Sequence, residues 1–195
     1  PNQKMSEQTT TELAVQPESK SALASMAHRL NVDPKKLHNT LQATVFKECK
    51  SNEEMMALCI VANEYGLNPI VKEMYAFPAK GGGVEPMISV DGWLTIMLRQ
   101  PTYKGHSVKI TKRDEQGKPL EATCIIYRED KEPLEWQEDF EECFQKSSPN
   151  WQARPARMLK HQALKQAGRQ ALGFCSVYDE DDMSAREGME HKHKK

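Results

Sequence analysis

The stretch from Trp151 to Tyr178 constrains this chain most, because its charge is one-sided. No Asp or Glu occurs between Cys143 and Tyr178, although the whole chain is balanced, with 27 Lys and Arg against 28 Asp and Glu. Pro155 suits the first position of a helix, and the residues from Ala156 to Leu172 are mostly good helix formers. The sequence therefore predicts a long basic helix in this stretch.

The basic residues of this helix recur at every fourth position. At about 100° per residue they share one side of the helix, the cationic face, which consists of Arg157, His161, Lys165 and Arg169. The opposite, apolar face carries Leu159, Ala163, Leu164, Ala167, Ala171 and Phe174. Lys160 departs from this pattern, because it projects toward the apolar side. A row of cations predicts binding to a polyanion, most simply a nucleic-acid backbone. The alternative is a solvated face whose carboxylate partners come from elsewhere in the fold.

Length and composition bound the rest of the chain. A chain of 195 residues can bury one sizeable hydrophobic core, and no apolar run approaches the roughly 20 residues that cross a membrane. The five scattered cysteines include no CxxC pair and indicate packing residues in a reducing cytosol. No signal peptide opens the chain, so we expect a cytoplasmic protein. Because the net charge is −1, any polyanion site must be local.

The first third of the chain is predicted to be helical. Residues 1–20 are polar and are expected to form a disordered lead-in. Helices are predicted at Ser21–Leu30 and, after the start signal Asp33-Pro34, to about Val45. A third begins at the capping box of Ser51 and Glu54 and stops at Gly66.

A hairpin and a short helix follow. Ile70–Phe77 and Val84–Val90 are expected to pair around a glycine-rich turn, which lacks the strand and helix context of a phosphate loop. Asp91 is expected to cap the next helix. The apolar side chains expected to face inward from that helix are Trp93, Leu94, Met97 and Leu98.

Three further strands complete the predicted sheet. Tyr103–Lys112 and Glu121–Arg128 form a second hairpin. Leu134–Phe144 fits both a strand and a helix, and we assign a strand because a third strand completes the sheet. This order of elements predicts an α+β fold, in which the apolar face of the basic helix packs on a small antiparallel sheet.

The sequence carries no pattern that predicts a catalytic or metal site. It contains no Ser-His-Asp set, no HExxH motif and no zinc-ligand spacing. The DEDD run that follows Tyr178 suggests the metal cluster of a nuclease, but such carboxylates converge from separate elements. A solvated run is therefore favoured. We expect a core over residues 21–182, a charged tail over 183–195, and no enzymatic activity.

Several segments resemble, in the same order, motifs of the phage single-strand annealing proteins of the Redβ/RecT group. They are IVANEYGLNPIVKEMYAFP, then VDGW, then the spaced pattern that begins WQ and ends VYD. The resemblance runs from about Ala43 to Asp181. It implies a small antiparallel sheet and a long helix that line a deep groove. Family members bind single-stranded DNA there and pair it with a complementary strand without ATP.

The resemblance also implies partners. Members assemble into rings and helical filaments and work beside a phage exonuclease in the cytoplasm of a bacterial host. Their C-terminal domain recruits that exonuclease and the host single-strand-binding protein. Nothing before Lys195 resembles this domain, so we expect a naturally short form or a truncated chain. The expected partners are single-stranded DNA, the annealed duplex intermediate and further copies of the chain. No cofactor is expected beyond Mg²⁺ as a modulator of DNA binding.

The candidate site residues come from both arguments. The resemblance implies Lys72, in the first predicted strand, and four residues of the basic helix, Arg157, Lys160, His161 and Arg169. Ala156 and Gln162 stand where family members can carry Lys, and Lys165 and Arg154 are candidates to replace them. The full set of expected DNA-binding residues is Lys72, Arg128, Arg154, Arg157, Lys160, His161, Lys165 and Arg169.

Two alternatives to annealing stay open. One is a non-annealing protein that binds single-stranded DNA or RNA, and the other is a metal-dependent nuclease. Annealing is preferred because it needs no acid, base or nucleophile. It needs phosphates held along a groove while the base edges stay free to test partners.

Overall fold

The computed structural model describes residues 21–79 and 81–174. The predicted lead-in over 1–20, the acidic run after Tyr178, the predicted tail over 183–195 and Cys175 lie outside the described residues. Within the described ranges the chain forms seven α-helices, one 3₁₀ turn and five strands. The predicted α+β class is confirmed, and the strands divide between two antiparallel sheets.

Three helices open the described chain. They are α1 (Ala22–Leu30), α2 (Pro34–Ala43) and α3 (Asn52–Glu64). Each begins at a side-chain cap, because Ser21, Asp33 and Ser51 accept a hydrogen bond from the backbone N–H three residues later. Gly66 follows α3 with a left-handed φ of 65°, so the predicted stop of this helix is confirmed.

A two-stranded sheet comes next. The 3₁₀ turn at Pro69–Val71 leads to β1 (Met74–Pro78), which pairs with β2 (Val84–Ile88). The predicted first hairpin is therefore confirmed, with shorter strands. Lys72 lies outside β1, at the end of the 3₁₀ turn, with a left-handed φ of 65°. Its predicted place in the first strand is wrong, because the chain turns there before the strand begins.

Helix α4 (Val90–Leu98) starts two residues earlier than the cap prediction placed it. Ser89 is its N-cap, since its Oγ accepts from the Gly92 N–H at 3.1 Å. The predicted cap, Asp91, lies exposed in the first turn, where a carboxylate still favours the helix dipole. The prediction that Leu98 faces inward is also wrong. Leu98 is 70% exposed, because it lies about 140° around the helix from the buried Trp93.

The second sheet has the strand order β3-β4-β5. Its strands are β3 (Tyr103–Arg113), β4 (Pro119–Arg128) and β5 (Leu134–Asp139). The third predicted strand is thus confirmed. It is shorter than predicted, because the apolar spacing of its second half forms the helical turn α5 (Phe140–Cys143).

Two helices end the described chain. The first, α6 (Pro149–Ala153), occupies a segment predicted as a loop and the first residues of the basic stretch. The second, α7 (Pro155–Leu172), is the predicted basic helix, and Gly173 follows it with a left-handed φ of 77°. Helix α7 packs against β4 and β5, so the predicted packing of this helix on the sheet is confirmed.

The described residues bury two hydrophobic clusters, where length alone predicted one core. The helical cluster joins α1 to α3 with β1, β2 and the Trp93 side of α4. The sheet cluster joins β4 and α7, with Met97 of α4. Gly168 makes the close approach of α7 to α4 possible, since a Cβ at this position would lie 2.7 Å from the Met97 sulfur.

Cysteine burial agrees with a packing role. Cys49, Cys59 and Cys124 are buried. Burial raises the pKa of Cys59 to about 11 and the pKa of Cys124 to about 12. Their thiolate forms are therefore scarce at neutral pH, and these thiols are poor nucleophiles. Along the described ranges, no helix has the length and apolar character to cross a bilayer.

Candidate nucleic-acid interface

A cleft of about 360 Å³, here called the hairpin cleft, separates the β1–β2 hairpin from α6 and the start of α7. One wall is mostly apolar and consists of Tyr75, Met87, Ile88 and Val90. The facing wall is basic and polar and consists of Asn150, Arg154, Arg157 and His161, with Met158 beside them. Such a cleft presents cations and apolar surface to the same ligand.

Strand alternation explains the apolar wall. Met74, Ala76 and Ile88 are buried against the helical cluster. Tyr75 and Met87 are paired across the hairpin, and both are half-buried at the cleft. Successive side chains of a strand point to opposite faces. Met74 and Ala76 therefore anchor the hairpin, while Tyr75 and Met87 line the cleft; Ile88, at the end of β2, contributes to both.

Glu73 fixes the hairpin to α4. Its carboxylate accepts hydrogen bonds from the Asn68 N–H at 2.7 Å and the Thr95 hydroxyl at 2.6 Å. Its carbonyl oxygen accepts from the Ser89 N–H at 3.1 Å. A Cβ at Gly92 would lie 2.2 Å from that carbonyl oxygen. The glycine of the VDGW segment therefore lets α4 and the hairpin approach closely enough to form the wall.

An aromatic cluster supports the basic wall. Trp151 of α6 is fully buried, and its ring packs edge-on against Phe140 and Phe144, with centroid separations of 5.9 and 6.2 Å. This packing holds the short α6 and therefore the start of α7. Arg154 occupies the N-cap position of α7, and the first turn of the helix contains no acidic residue. The positive end of the helix dipole is thus not offset by a carboxylate of its own first turn.

A second cleft, here called the turn cleft, adjoins the first. It has a volume of about 600 Å³ and lies between the β3–β4 turn and the start of α7. Its basic residues are Arg113, Lys118, Arg154 and Arg157. Arg113 and Lys118 carry no distinctive charge signal in the sequence, because Asp114 and Glu115 stand between them and cancel the local charge. Only the fold brings these two cations to α7.

The structure places three predicted residues at the clefts. Arg154 and Arg157 line both clefts, and His161 lines the hairpin cleft. Lys160 is half-buried and Lys72 is exposed, but neither lines either cleft. DNA binding by these five residues stays a prediction.

The other predicted residues lie elsewhere and are partly or largely buried. Lys165 is only 4% exposed, so its predicted position on an open cationic face is wrong. The physical reason is that neighbouring elements cover the apolar face of α7 and also part of its cationic face. Gln162 is buried as well. The Arg169 guanidinium lies over the Trp93 ring, 5.4 Å from its centroid. The cationic face is therefore open at its N-terminal end and covered farther along.

Arg128 connects strand β4 to helix α7. Its guanidinium pairs with the Asp130 carboxylate at 2.9 Å and donates to the Ala171 carbonyl oxygen. Only 14% of its side chain is exposed. These contacts tie the end of β4 to the C-terminal turn of α7. A role of Arg128 in DNA binding stays a prediction.

The hairpin cleft offers two kinds of contact to a ligand. Among residues 21–79 and 81–174, no three His, Cys, Asp or Glu side chains gather as a potential metal site. The hairpin cleft can hold an anionic backbone on its basic wall and planar or apolar groups on the other. This is the combination that single-strand binding sites use.

Comparison with known proteins gives two matches. Residues 31–195 match the sequence profile of the RecT family. Over 179 residues, the chain is 38% identical to the recombination protein Bet of Escherichia phage lambda. The aligned region covers 83% of this chain and 66% of that relative, so the chain spans just under two thirds of the relative's length.

Proposed function

Because the chain belongs to the RecT family, we propose that it binds single-stranded DNA and anneals it to a complementary strand without ATP. The observation that carries this proposal is the hairpin cleft, where the apolar pair of Tyr75 and Met87 faces Arg154 and Arg157. The cleft supports the proposal because it offers both contacts that a single strand needs.

We assign a different contact with the strand to each wall of the cleft. Arg154 and Arg157 contact phosphates, which position the strand without reading its sequence. Tyr75 and Met87 contact the faces of bases, and such stacking tolerates any base. The hydrogen-bonding edges of the bases then stay free to test a second strand. No covalent bond forms or breaks, so the activity needs no nucleophile, and Mg²⁺ acts only as a modulator of DNA binding.

Self-association is part of the proposal. A cleft of about 360 Å³ can hold only a short piece of a strand, and small single-strand binding folds cover roughly 4–16 nucleotides. Copies of the chain that join their clefts end to end, as a ring or a helical filament, would gain affinity through effective concentration. An exonuclease and a host single-strand-binding protein are proposed as further partners in the bacterial cytoplasm. Sedimentation of the free protein and of its complex with two sequentially added strands tests the self-association.

Annealing is tested by mixing complementary oligonucleotides with the protein in the absence of ATP and following duplex formation. We expect the wild type to accelerate pairing and Arg157→Ala to accelerate it less, because that variant loses a proposed phosphate contact. The matched control is Lys109→Ala, which removes an exposed cation of β3 that lines neither cleft.

Two other outcomes would replace the proposal. A protein that only coats strands would bind them without accelerating duplex formation. A nuclease would shorten an end-labelled strand when Mg²⁺ is added. Annealing rates equal to the spontaneous rate at saturating protein would therefore refute the annealing activity, even if single strands bind.

A further inference from the structure

We propose that the turn cleft is a second backbone-binding site, which holds phosphates of the same DNA strand where that strand leaves the hairpin cleft. This inference rests on the proposed function. Its ligand is the sugar–phosphate chain of a single strand, without base contacts. The cations of the β3–β4 turn, Arg113 and Lys118, become phosphate ligands in this proposal.

The charge of the turn cleft is the first observation. Its lining brings together Arg113, Lys118, Arg154 and Arg157, and no Asp or Glu of the described chain lines it. A concave site that is lined by several cations attracts a polyanion more strongly than the same cations spread over a flat surface. Lys and Arg side chains neutralise phosphates and hydrogen-bond to them in protein–DNA complexes.

The β3–β4 turn is also pre-formed for such contacts. The Arg113 guanidinium donates to the Gly117 carbonyl oxygen at 2.7 Å. The Asp114 carboxylate accepts from the N–H groups of Gln116 and Lys118 at 2.9 and 2.8 Å. This carboxylate is therefore engaged by the turn's own backbone. A turn held by its own hydrogen bonds costs little ordering entropy when a ligand binds.

The position of Lys118 links the turn to the base of α7. Its ammonium lies 4.6 Å from the centroid of the Phe140 ring. Phe140 packs against Trp151, which holds α6 at the start of α7. The two sides of the turn cleft are thus joined by a continuous set of contacts, which holds the turn next to the start of α7.

The linings of the two clefts point to one continuous strand. Arg154 and Arg157 line both clefts, so a strand that contacts them in the hairpin cleft lies at the edge of the turn cleft. The hairpin cleft offers large apolar side chains for bases. The turn cleft offers no such side chain in the described chain, since its apolar lining is limited to Pro119, Pro155 and Ala156. It therefore fits a backbone and leaves the bases uncovered.

The experiment compares the wild type with Lys118→Gln and with the double variant Arg113→Gln/Lys118→Gln. Affinity for oligothymidylates of increasing length is measured over a range of salt concentrations. Each lost phosphate contact lowers the log–log salt slope by about 0.7. We therefore expect losses of about 0.7 and about 1.4 on long strands. On the shortest strands that still bind, we expect wild-type affinity, because these fill only the hairpin cleft.

Two controls separate the possible failures. Lys109→Ala, on the same sheet but outside both clefts, should leave the slope unchanged. Arg157→Ala should weaken binding at every length. A wild-type slope for the double variant on long strands, with Arg157→Ala still impaired, would overturn the turn-cleft site alone. An absence of single-strand binding by the wild type would overturn the proposed function itself. Cooperative thermal unfolding of both Gln variants, with a midpoint only slightly below that of the wild type, would show that the sheet stays folded.

Discussion

Two arginines that share one face of α7 illustrate how position decides the role of a residue. Arg157 is exposed and lines both clefts, whereas Arg169 is half-buried over the Trp93 ring. We expect Arg169→Ala to lower the free energy of unfolding by about 1 kcal/mol, because cation–π contacts contribute roughly 0.5–2 kcal/mol. Arg157→Ala should leave stability within about 0.5 kcal/mol of the wild type, as most surface substitutions do.

Urea unfolding of both variants checks this contrast, with single-strand binding measured in parallel. Since Arg157 faces the clefts, its replacement should impair binding in the fully folded protein. Equal losses of stability in Arg157→Ala and Arg169→Ala would contradict the positions described for these side chains.

Gly92 is expected to be the most sensitive glycine of the site. In Gly92→Ala the new methyl group would lie 2.2 Å from the Glu73 carbonyl oxygen, which is backbone and cannot turn away. We expect a loss of about 2 kcal/mol or more in the free energy of unfolding, as for other substitutions that overpack a closed site. Gly81→Ala is the matched control, because nothing lies within 4 Å of its added Cβ. Urea denaturation measures both, and equal stabilities would contradict the close approach of α4 to the hairpin.

At this scale, the sequence predicts which side chains share a helical face but not how deeply each is covered. The four-residue spacing correctly groups Arg157 with His161 at the hairpin cleft. It cannot show that Lys165 is 4% exposed. Other elements of the fold bury Lys165, and the periodicity of one helix contains no information about the position of those elements.

The β1–β2 hairpin is the element whose role is most open to a direct test. Because Tyr75 lines the hairpin cleft, we expect Tyr75→Ala to weaken single-strand binding by about 1–3 kcal/mol, the range for one base–aromatic contact. The salt slope should stay unchanged, because no phosphate contact is lost. This combination distinguishes a base contact from a backbone contact.

Tyr127→Ala provides the control for that measurement. Tyr127 is an exposed tyrosine of β4 that lines neither cleft. Salt titrations of both variants with one oligonucleotide are sufficient. A change of slope in Tyr75→Ala, or an equal loss of affinity in Tyr127→Ala, would contradict the assignment of the hairpin as the base-contacting wall.

Among the elements, those with strong local signals are predicted well and short ones are not. The helix starts at Asp33 and Ser51 lie where the sequence places them. The five residues of α6 form a helix although propensity favours a loop, because the burial of Trp151 stabilises that turn. Tertiary packing of this kind is outside the reach of a local pattern.

For the molecule as a whole, we expect the order of strand addition to decide binding. One strand alone should bind weakly, since its bases lose water and gain few contacts. A complementary strand adds stacking of about 1.4 kcal/mol per step to the same complex. The protein should therefore hold two strands added in turn much more tightly than either strand. It should bind the pre-formed duplex poorly, because a cleft shaped for an opened strand would have to deform a regular helix.

A competition experiment at fixed salt tests this expectation. The protein is loaded with one labelled strand, the complement is added, and excess unlabelled DNA is used as the challenge. Slow release after sequential addition and fast release of the pre-formed duplex are expected. Equal retention of both would indicate an ordinary duplex-binding protein.

The resemblance implied a groove, but the residues that line the two clefts could not be predicted from local sequence patterns. The hairpin cleft brings the segment from Tyr75 to Val90 to the segment from Asn150 to His161. The turn cleft brings the segment from Arg113 to Pro119 to the start of α7. Local patterns predict most of these elements and the packing of α7 on a sheet. They do not predict which elements distant in the chain face each other across a gap.

Helix α4 belongs to both hydrophobic clusters. Trp93 and Ile96 pack into the helical cluster, which also anchors the β1–β2 hairpin, and Met97 packs into the sheet cluster, which anchors α7. The two walls of the hairpin cleft are therefore built mainly on different clusters, and α4 contributes side chains to both. A strand held by both walls would bind only while both clusters are folded, so it would increase the cooperativity with which they unfold. Bound DNA would then link the helical cluster to the sheet cluster.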